Sequence, residues 1–292
     1  MNVSNLVSRL LISFLLTGIN GGLYAQEQQQ QTEYKPEIGE WGKDVIWVPT
    51  PDELVTKMLE IANVTENDFV IDLGSGDGRT VIAAAKLGAR SLGIEINPAL
   101  VEHSKIEARE AGVSGQTEFI HADFFECDLS EATVITMFLL PSINLKLRPR
   151  ILELKPGTRI VSNTFSMGDW EPDYDVSIER NYIENSHVET NRDIYTGWNR
   201  AMLWIVPAKV EGDWKFEEGT LTLWQNFQEL DGNYVTEERA AKINNGRIIG
   251  DSIIFSFEGE EYSGRLTEDG SLEGTVTSGT AQREWMAIRE RN

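Results

Sequence analysis

The chain has 292 residues, 40% of them hydrophobic, enough for two domains with packed cores. Its formal net charge is −21, which argues against a nucleic-acid partner, because phosphate binding needs clustered Lys and Arg; an acidic surface confers solubility or attracts basic protein tails. Cys127 is the single cysteine, and His103, His121 and His187 lack a ligand spacing, so neither an intramolecular disulfide nor a metal site is implied.

In chain order, Arg9 precedes the apolar run Leu10 to Leu16, and Leu23-Tyr-Ala-Gln26 offers cleavage after Ala25. Residues 1–25 therefore read as a secretory leader, too short to span a bilayer comfortably. Residues 26–43 follow as a polar, glutamine-rich linker. This predicts an exported, periplasmic or envelope-associated protein. The alternative is a retained N-terminal anchor at the membrane with a cytoplasmic domain. The next element is a helix entered through Val48-Pro-Thr-Pro51. Thr50 and Glu53 match a capping box with Pro51 at the first helical position, and Leu54, Val55, Met58, Leu59, Ile61 and Ala62 form one apolar stripe.

Val70-Ile-Asp-Leu-Gly-Ser-Gly-Asp-Gly-Arg-Thr80 carries the most chemistry. It reads as a buried strand, a glycine turn and a helix start, the arrangement that receives an adenosine-type cofactor. Gly74 and Gly76 let the backbone come close to a ligand. A dinucleotide turn wants a third glycine where Arg79 stands. Asp72 and Asp77 would repel a pyrophosphate. They suit a cationic ligand without phosphate, and S-adenosylmethionine, with its ammonium and sulfonium, is one.

Leu92-Gly-Ile-Glu-Ile96 is a second strand, ending near Glu95, where an acid can accept both ribose hydroxyls. Asn97-Pro98 starts a helix that Gly112 ends. Thr117 to Phe124 is a third strand closed by Asp123 and Phe124, and Ala132 to Leu140 a fourth. Arg159 to Asn163 is a fifth; Asn163 and Asp169 stand after it as candidate catalytic groups. Asp173–Glu179 and Ala201–Val206 read as a last antiparallel pair, with a polar loop over 181–198 and Pro207 at the domain end.

The strand-end acids and Asp72-Leu-Gly-Ser-Gly-Asp-Gly78 resemble motif I and its successors in class I S-adenosylmethionine-dependent methyltransferases. With Val48-Pro-Thr-Pro51 and Glu95-Ile-Asn-Pro98, residues 44–207 are similar to the ATP synthase c-subunit lysine methyltransferase family and its bacterial relatives. The order also resembles the non-SET histone lysine methyltransferases. The resemblance implies a Rossmann-like α/β sheet with helices on both faces. It implies cofactor contacts from Asp72, Gly74, Gly76, Asp77, Glu95, Asp123 (adenine amino group), Phe124 (beside the ring) and Thr50. It places Trp47, Pro49 and Thr50 at the methyl-transfer end, which makes Trp47 and Thr50 candidates there. It departs from the methyltransferases that act on DNA bases or glutamine. Their Asn-Pro-Pro-Tyr is replaced by Phe138-Leu-Leu-Pro-Ser142, which disfavours planar amino acceptors. The implied acceptor is a lysine-containing protein. Small-molecule methylation is one alternative; an exported binding protein with a vestigial cofactor half is another. Export also separates the enzyme from a cofactor made in the cytoplasm.

Residues 208–292 change grammar. Short alternating strands stand between Asp231-Gly-Asn233, Asn244-Asn-Gly246, Gly250-Asp251 and Glu268-Asp-Gly270, and Ile253, Phe255 and Phe257 alternate with Ser252, Ile254 and Ser256. The expectation is an all-β sandwich or barrel of six to eight strands, with Trp214, Trp224 and Trp285 in its core.

Overall fold

The structure is a computed structural model. It describes residues 34, 36, 37, 39, 47–178 and 198–290. The leader, most of the linker and the 181–197 loop lie outside the described residues. Among the described residues no helix is long and apolar enough to cross a membrane.

Near the N-terminus is α1 (Asp52–Ile61), followed by β1 (Phe69–Leu73), α2 (Arg79–Lys86), β2 (Arg90–Glu95), α3 (Pro98–Glu110), β3 (Thr117–His121) and β4 (Val134–Met137). Then come α4 (Pro141–Ile151), β5 (Arg159–Asn163), β6 (Tyr174–Ser177) and β7 (Arg200–Ile205). The seven strands form one sheet in the order β3-β2-β1-β4-β5-β7-β6. β1 to β5 pair in parallel, and β7 is antiparallel to both β5 and β6. This is a Rossmann-like sheet whose order reverses at β1, between β2 and β4. Alternation along the strands divides the core. Val70, Val134 and Val161 pack with Leu54, Val55, Met58 and Leu59 of α1 and Ala84 of α2. Ile71, Leu73, Ile135 and Ile160 pack with Ile143, Leu147 and Ile151 of α4, and with Met167, Trp170 and Trp204.

Local chemistry explains most element ends. Asn97 caps α3, its side chain accepting from Ala99 N at 2.9 Å, with Pro98 in the first turn. Gly78, at φ 81°, takes the left-handed turn that opens α2. The expected capping box on α1 is absent. Pro51 is the N-cap residue and no side chain caps the helix. The bend of Pro49-Thr50-Pro51 leaves Thr50 one residue outside the helix, where its hydroxyl takes another partner. β3 ends at His121 rather than Phe124, because Asp123 folds into a turn and accepts from Phe125 N at 3.0 Å. Helix α4 has no clear periodic signal and contains Pro149, yet it buries Ile143, Asn144, Leu147 and Ile151.

The second sheet holds β8 (Gly212–Phe216), β9 (Gly219–Asn226), β10 (Glu229–Val235), β11 (Ala240–Lys242), β12 (Asn244–Ile249), β13 (Ser252–Phe257), β14 (Glu260–Leu266), β15 (Ser271–Ser278) and β16 (Ala281–Arg289). Its order is β11-β10-β12-β13-β14-β15-β16-β8-β9, and β9 also pairs with β10. The circuit closes: chain neighbours pair antiparallel except β11 and β12, which both pair with β10, and β16 returns to β8. The result is an up-and-down barrel, with the short β11 appended to β10. A barrel removes exposed sheet edges, which suits a chain of short alternating strands. Its interior is filled by aromatics. Phe255 stacks on Tyr262 at 4.9 Å, and Trp285 meets Phe216 edge-on at 5.7 Å.

Expectations for this half fail in several places. The sheet has nine strands rather than six to eight, and Asn244-Asn-Gly246 lies inside β12 rather than in a turn. Trp224 points outward, 48% exposed, while Trp214 and Trp285 are buried. Asp231-Gly-Asn233 is no turn; it lies inside β10, and the actual turn is Phe227-Gln228. Gly232 is there for space. A Cβ at this position would stand 2.2 Å from the Thr222 carbonyl oxygen on β9. Gly232→Ala should therefore destabilise the barrel by about 1–3 kcal/mol through forced strand separation. Thermal unfolding followed by near-UV circular dichroism checks this; an unchanged midpoint would show that the strands part without cost.

Candidate active site

The glycine turn after β1, the ends of β2, β4 and β5, and the segment before α1 enclose a cavity of about 500 Å³. It opens at the strand C-termini where the sheet order reverses, the crevice that α/β sheets offer to ligands. The sheet order divides it into two ends. Glu95, Asn97, Asp123 and Phe124 follow β2 and β3 on one side; Phe138, Leu139, Leu140 and Phe165 follow β4 and β5 on the other. Trp47, Val48, Pro49 and Thr50 also line it, as does Trp198.

Glu95 is buried and doubly held. Oε2 accepts from Gly76 N and Oε1 from Asn97 N, both at 2.9 Å. Each carboxylate oxygen has a further lone pair, so the group can accept two more hydrogen bonds. Ser104 Oγ donates to the Gly76 carbonyl at 3.0 Å and fixes the turn from behind. Ser75 Oγ is buried in the same turn and has no hydrogen-bond partner among the described residues. Gly76, at φ 55°, is needed for closeness. A Cβ there would lie 2.4 Å from Trp47 Nε1, so the indole rests on the turn itself.

Asp72 is buried at the floor of the cavity. Burial pushes its carboxyl up to about 7, against the bond from Thr136 Oγ1 at 2.6 Å, and the nearby charges of Asp77 and Glu95 push it the same way. Asp77 lines the cavity but faces a cation of the chain itself. Arg79 Nε and Nη2 reach its two oxygens at 2.6–3.0 Å. Arg79 Nη1 then donates to the Thr50 carbonyl at 2.9 Å. One guanidinium thus ties the glycine turn to the segment lying over it. Arg79→Ala should loosen that cover and lower affinity for S-adenosylhomocysteine about tenfold, the scale of one charge-assisted hydrogen bond. Arg79→Lys should recover little, having no planar fork. Titration calorimetry reads both; full affinity in Arg79→Ala would show the tie to be dispensable.

At the Asp123 side, Arg150 of α4 donates to the carbonyls of Phe124, Phe125 and Cys127 at 3.1, 2.5 and 2.5 Å. This shapes the turn that carries Asp123 and Phe124. At the other end Phe138 stacks on Phe165 at 5.9 Å and 15°, and meets the edge of Trp198 at 5.5 Å. Sequence reading missed this aromatic wall. Its residues come from three separate segments and share no local pattern.

The candidate catalytic residues divide. Trp47 and Thr50 line the cavity. Asn163 is wholly buried behind it; Nδ2 donates to Thr50 Oγ1 at 3.2 Å and Oδ1 accepts from Thr164 Oγ1 at 2.8 Å. Asn163 therefore holds Thr50. Asp169 does not belong to the site. Its side chain is 78% exposed, away from the lining, and paired with Arg148, whose hydrogen bond keeps the carboxyl below its usual range.

A buried serine hydroxyl without a partner among the described residues, a carboxylate with spare acceptor sites and a second, buried carboxyl that a cation would ionise all fit S-adenosylmethionine. The cavity has room for an adenosine and a methionine arm.

Comparison with known proteins agrees. Residues 72–174 match the family model described as the ANTKMT methyltransferase domain, and residues 24–106 match one described as DNA methylase. A protein-lysine N-methyltransferase of Saccharolobus islandicus is 45% identical over 138 residues, covering 46% of this chain and 86% of that protein. The ATP synthase c-subunit lysine N-methyltransferase of Homo sapiens is 33% identical over 164 residues, covering 55% of this chain and 69% of that protein. A solved structure titled RNA methyltransferase from Salinibacter ruber, in complex with S-adenosyl-L-homocysteine, is 46% identical with a TM-score of 0.49, covering 56% of this chain and 96% of that one. The chain is an S-adenosylmethionine-dependent methyltransferase and belongs to the family of these protein-lysine N-methyltransferases.

Proposed function

We propose that this enzyme methylates a lysine side chain of a protein. The observation that carries the reading is the aromatic end of the cavity. Phe138, Phe165 and Trp198, with Leu139 and Leu140, wall the side away from Glu95 and Asp123. Aromatic faces accept an ammonium, and apolar walls accept the long alkyl stem that carries it. Entry into such a wall strips water from the amine and favours its neutral form. The carboxylates that line the cavity are Asp72 on β1, Asp77 in the glycine turn, Glu95 and Asp123; among the described residues no carboxylate or histidine of the lining follows β4 or β5. In this reading the amine loses its proton to solvent as it enters. The wall then holds its lone pair in line with the methyl group. The acidic chain, at −21, draws basic protein segments and repels nucleic acid.

When bound, S-adenosylmethionine supplies an electrophilic methyl group on a sulfonium. In this reading Glu95 accepts the ribose hydroxyls, Asp123 and Phe124 take the adenine, and Asp72 faces the ammonium. Gly74 and Gly76 give the backbone its close approach, and Thr50, held by Asn163, closes the methyl end. Asp77 acts through Arg79. The sheet is read as covered by α1, α2 and α3 on one face and by α4 on the other. The leader reading is kept, with a mature chain beginning at Gln26.

The test is transfer of a tritiated methyl group to purified proteins, followed by hydrolysis and identification of the labelled residue. Methyl-lysine is expected, with loss of label when acceptor lysines are replaced by arginine. Label found only on small molecules, or on nucleic acid, would overturn the lysine assignment. N-terminal sequencing of the protein from cells checks the leader.

A further inference from the structure

Two bulky residues hold left-handed backbone, a conformation that costs free energy unless the surroundings enforce it. Thr164 has φ 62° and Phe227 has φ 54°. They stand at opposite ends of one chain of contacts joining the barrel to the cavity. Phe227 lies in the two-residue turn between β9 and β10. Its ring stacks on buried Trp170 at 5.7 Å and 17°, and Arg148 lies 5.2 Å from its centroid. The next residue, Gln228, is 2% exposed and donates from Nε2 to the Glu171 carbonyl at 2.7 Å. Arg247 of β12 adds a bond to buried Asp173 at 2.7 Å. The barrel thus grips residues 170–173 through a ring, an amide and a guanidinium.

The gripped segment is the one that carries Phe165. Met167 and Trp170 form an isolated bridge that closes a tight loop, and Arg148 Nη1 donates to the Met167 carbonyl at 2.7 Å. The Phe165 carbonyl accepts from Ser162 Oγ at 2.7 Å and Asn144 Nδ2 at 3.0 Å. Phe165 itself stacks on Phe138 in the cavity wall.

We propose that Phe227 is a positioning residue for the acceptor. By packing on Trp170 it fixes the 164–170 loop, and so sets where Phe165 stands in the aromatic wall. The barrel is then part of the active-site scaffold rather than a separate recruitment module. The inference rests on the proposed function only in taking the aromatic wall as the acceptor side.

The experiment uses the full chain with Phe227→Ala, Phe227→Tyr, and Trp224→Ala on the outer barrel wall as control. Turnover is read on whichever acceptor the wild type labels. S-adenosylhomocysteine affinity is read by calorimetry, and amide hydrogen exchange at residues 163–168 and 72–79 by mass spectrometry. For Phe227→Ala we expect acceptor kcat/KM at least tenfold lower, S-adenosylhomocysteine affinity within twofold, and at least tenfold faster exchange at 163–168 with 72–79 unchanged. Phe227→Tyr, which keeps the ring, should stay within threefold of wild type, and Trp224→Ala should match it. Three outcomes overturn the proposal: turnover within twofold in Phe227→Ala, whatever the exchange; equal losses of cofactor affinity and of protection at both segments, which would mean general destabilisation; or a Phe227→Tyr variant as impaired as Phe227→Ala. If the wild type labels something other than lysine, the substrate reading falls, while the exchange and turnover comparison still decides this one.

Discussion

Glu95→Ala is expected to weaken binding of S-adenosylmethionine and S-adenosylhomocysteine by about a hundredfold or more while leaving the chain folded. A hydrogen bond to a charged group contributes about 1.5–3 kcal/mol, and this carboxylate has acceptor sites for two ribose hydroxyls. The structure adds a second loss. Glu95 also accepts from the amides of Gly76 and Asn97, so its removal releases the glycine turn and the start of α3 together. Glu95→Gln should fall between, because its amide nitrogen cannot accept from either partner. Calorimetry gives the affinities, and far-UV circular dichroism verifies folding. Wild-type affinity in a folded Glu95→Ala would reduce this residue to a support for the turn.

Asp72→Asn should move stability and binding in opposite directions. Its carboxyl is raised from 3.8 to about 7, chiefly by burial. Between those values the folded chain keeps a proton that the unfolded chain has shed. The folded state then binds more protons, so stability falls as pH rises through this window and stays low above it. Asn removes the penalty, keeps an acceptor for Thr136, and should stabilise the ligand-free protein at pH 8 by roughly 2–4 kcal/mol, with little effect near pH 4. For binding the sign reverses. A cationic ligand favours ionised Asp72, so wild-type affinity should rise toward pH 7 and binding should release a proton. Asp72→Asn should lose about tenfold or more in affinity at pH 8 and show a flatter profile. Melting curves and calorimetry in buffers of different ionisation enthalpy measure both. Identical pH profiles for the two proteins would remove Asp72 from contact with the ligand's charge.

The parallel core of the first sheet was legible because each strand, turn and cap is written in contiguous residues. Phe69, Val70, Ile71 and Leu73 make a short apolar strand around Asp72, Gly78 must turn left-handed, and Asn97-Pro98 caps α3 whatever lies around it. Glu95 and Asp123 could be placed at the cavity because strand ends share one edge of a parallel sheet. In the barrel the inward alternation of Ile253, Phe255 and Phe257 was equally local, and all three are buried. Turn composition misled where glycine served strand contact, at Gly232 and Gly246, rather than a reversal of the chain.

By itself, then, the sequence determined the Rossmann-like half, its cofactor class and the β-rich second half, since dihedral preference and hydrophobic periodicity act over a few residues. Tertiary structure alone decided what each side chain does. It turned Asp77 toward Arg79, gave the Thr50 hydroxyl to Asn163, 113 residues away, and sent Trp224 outward. It also withdrew Asp169 to the surface, closed β16 onto β8, and laid Phe227 on Trp170. Each of these is fixed by register and packing between segments distant in the chain or by the direction in which a side chain leaves the backbone. No local pattern encodes either, because both are set only when the sheets form and their cores fill.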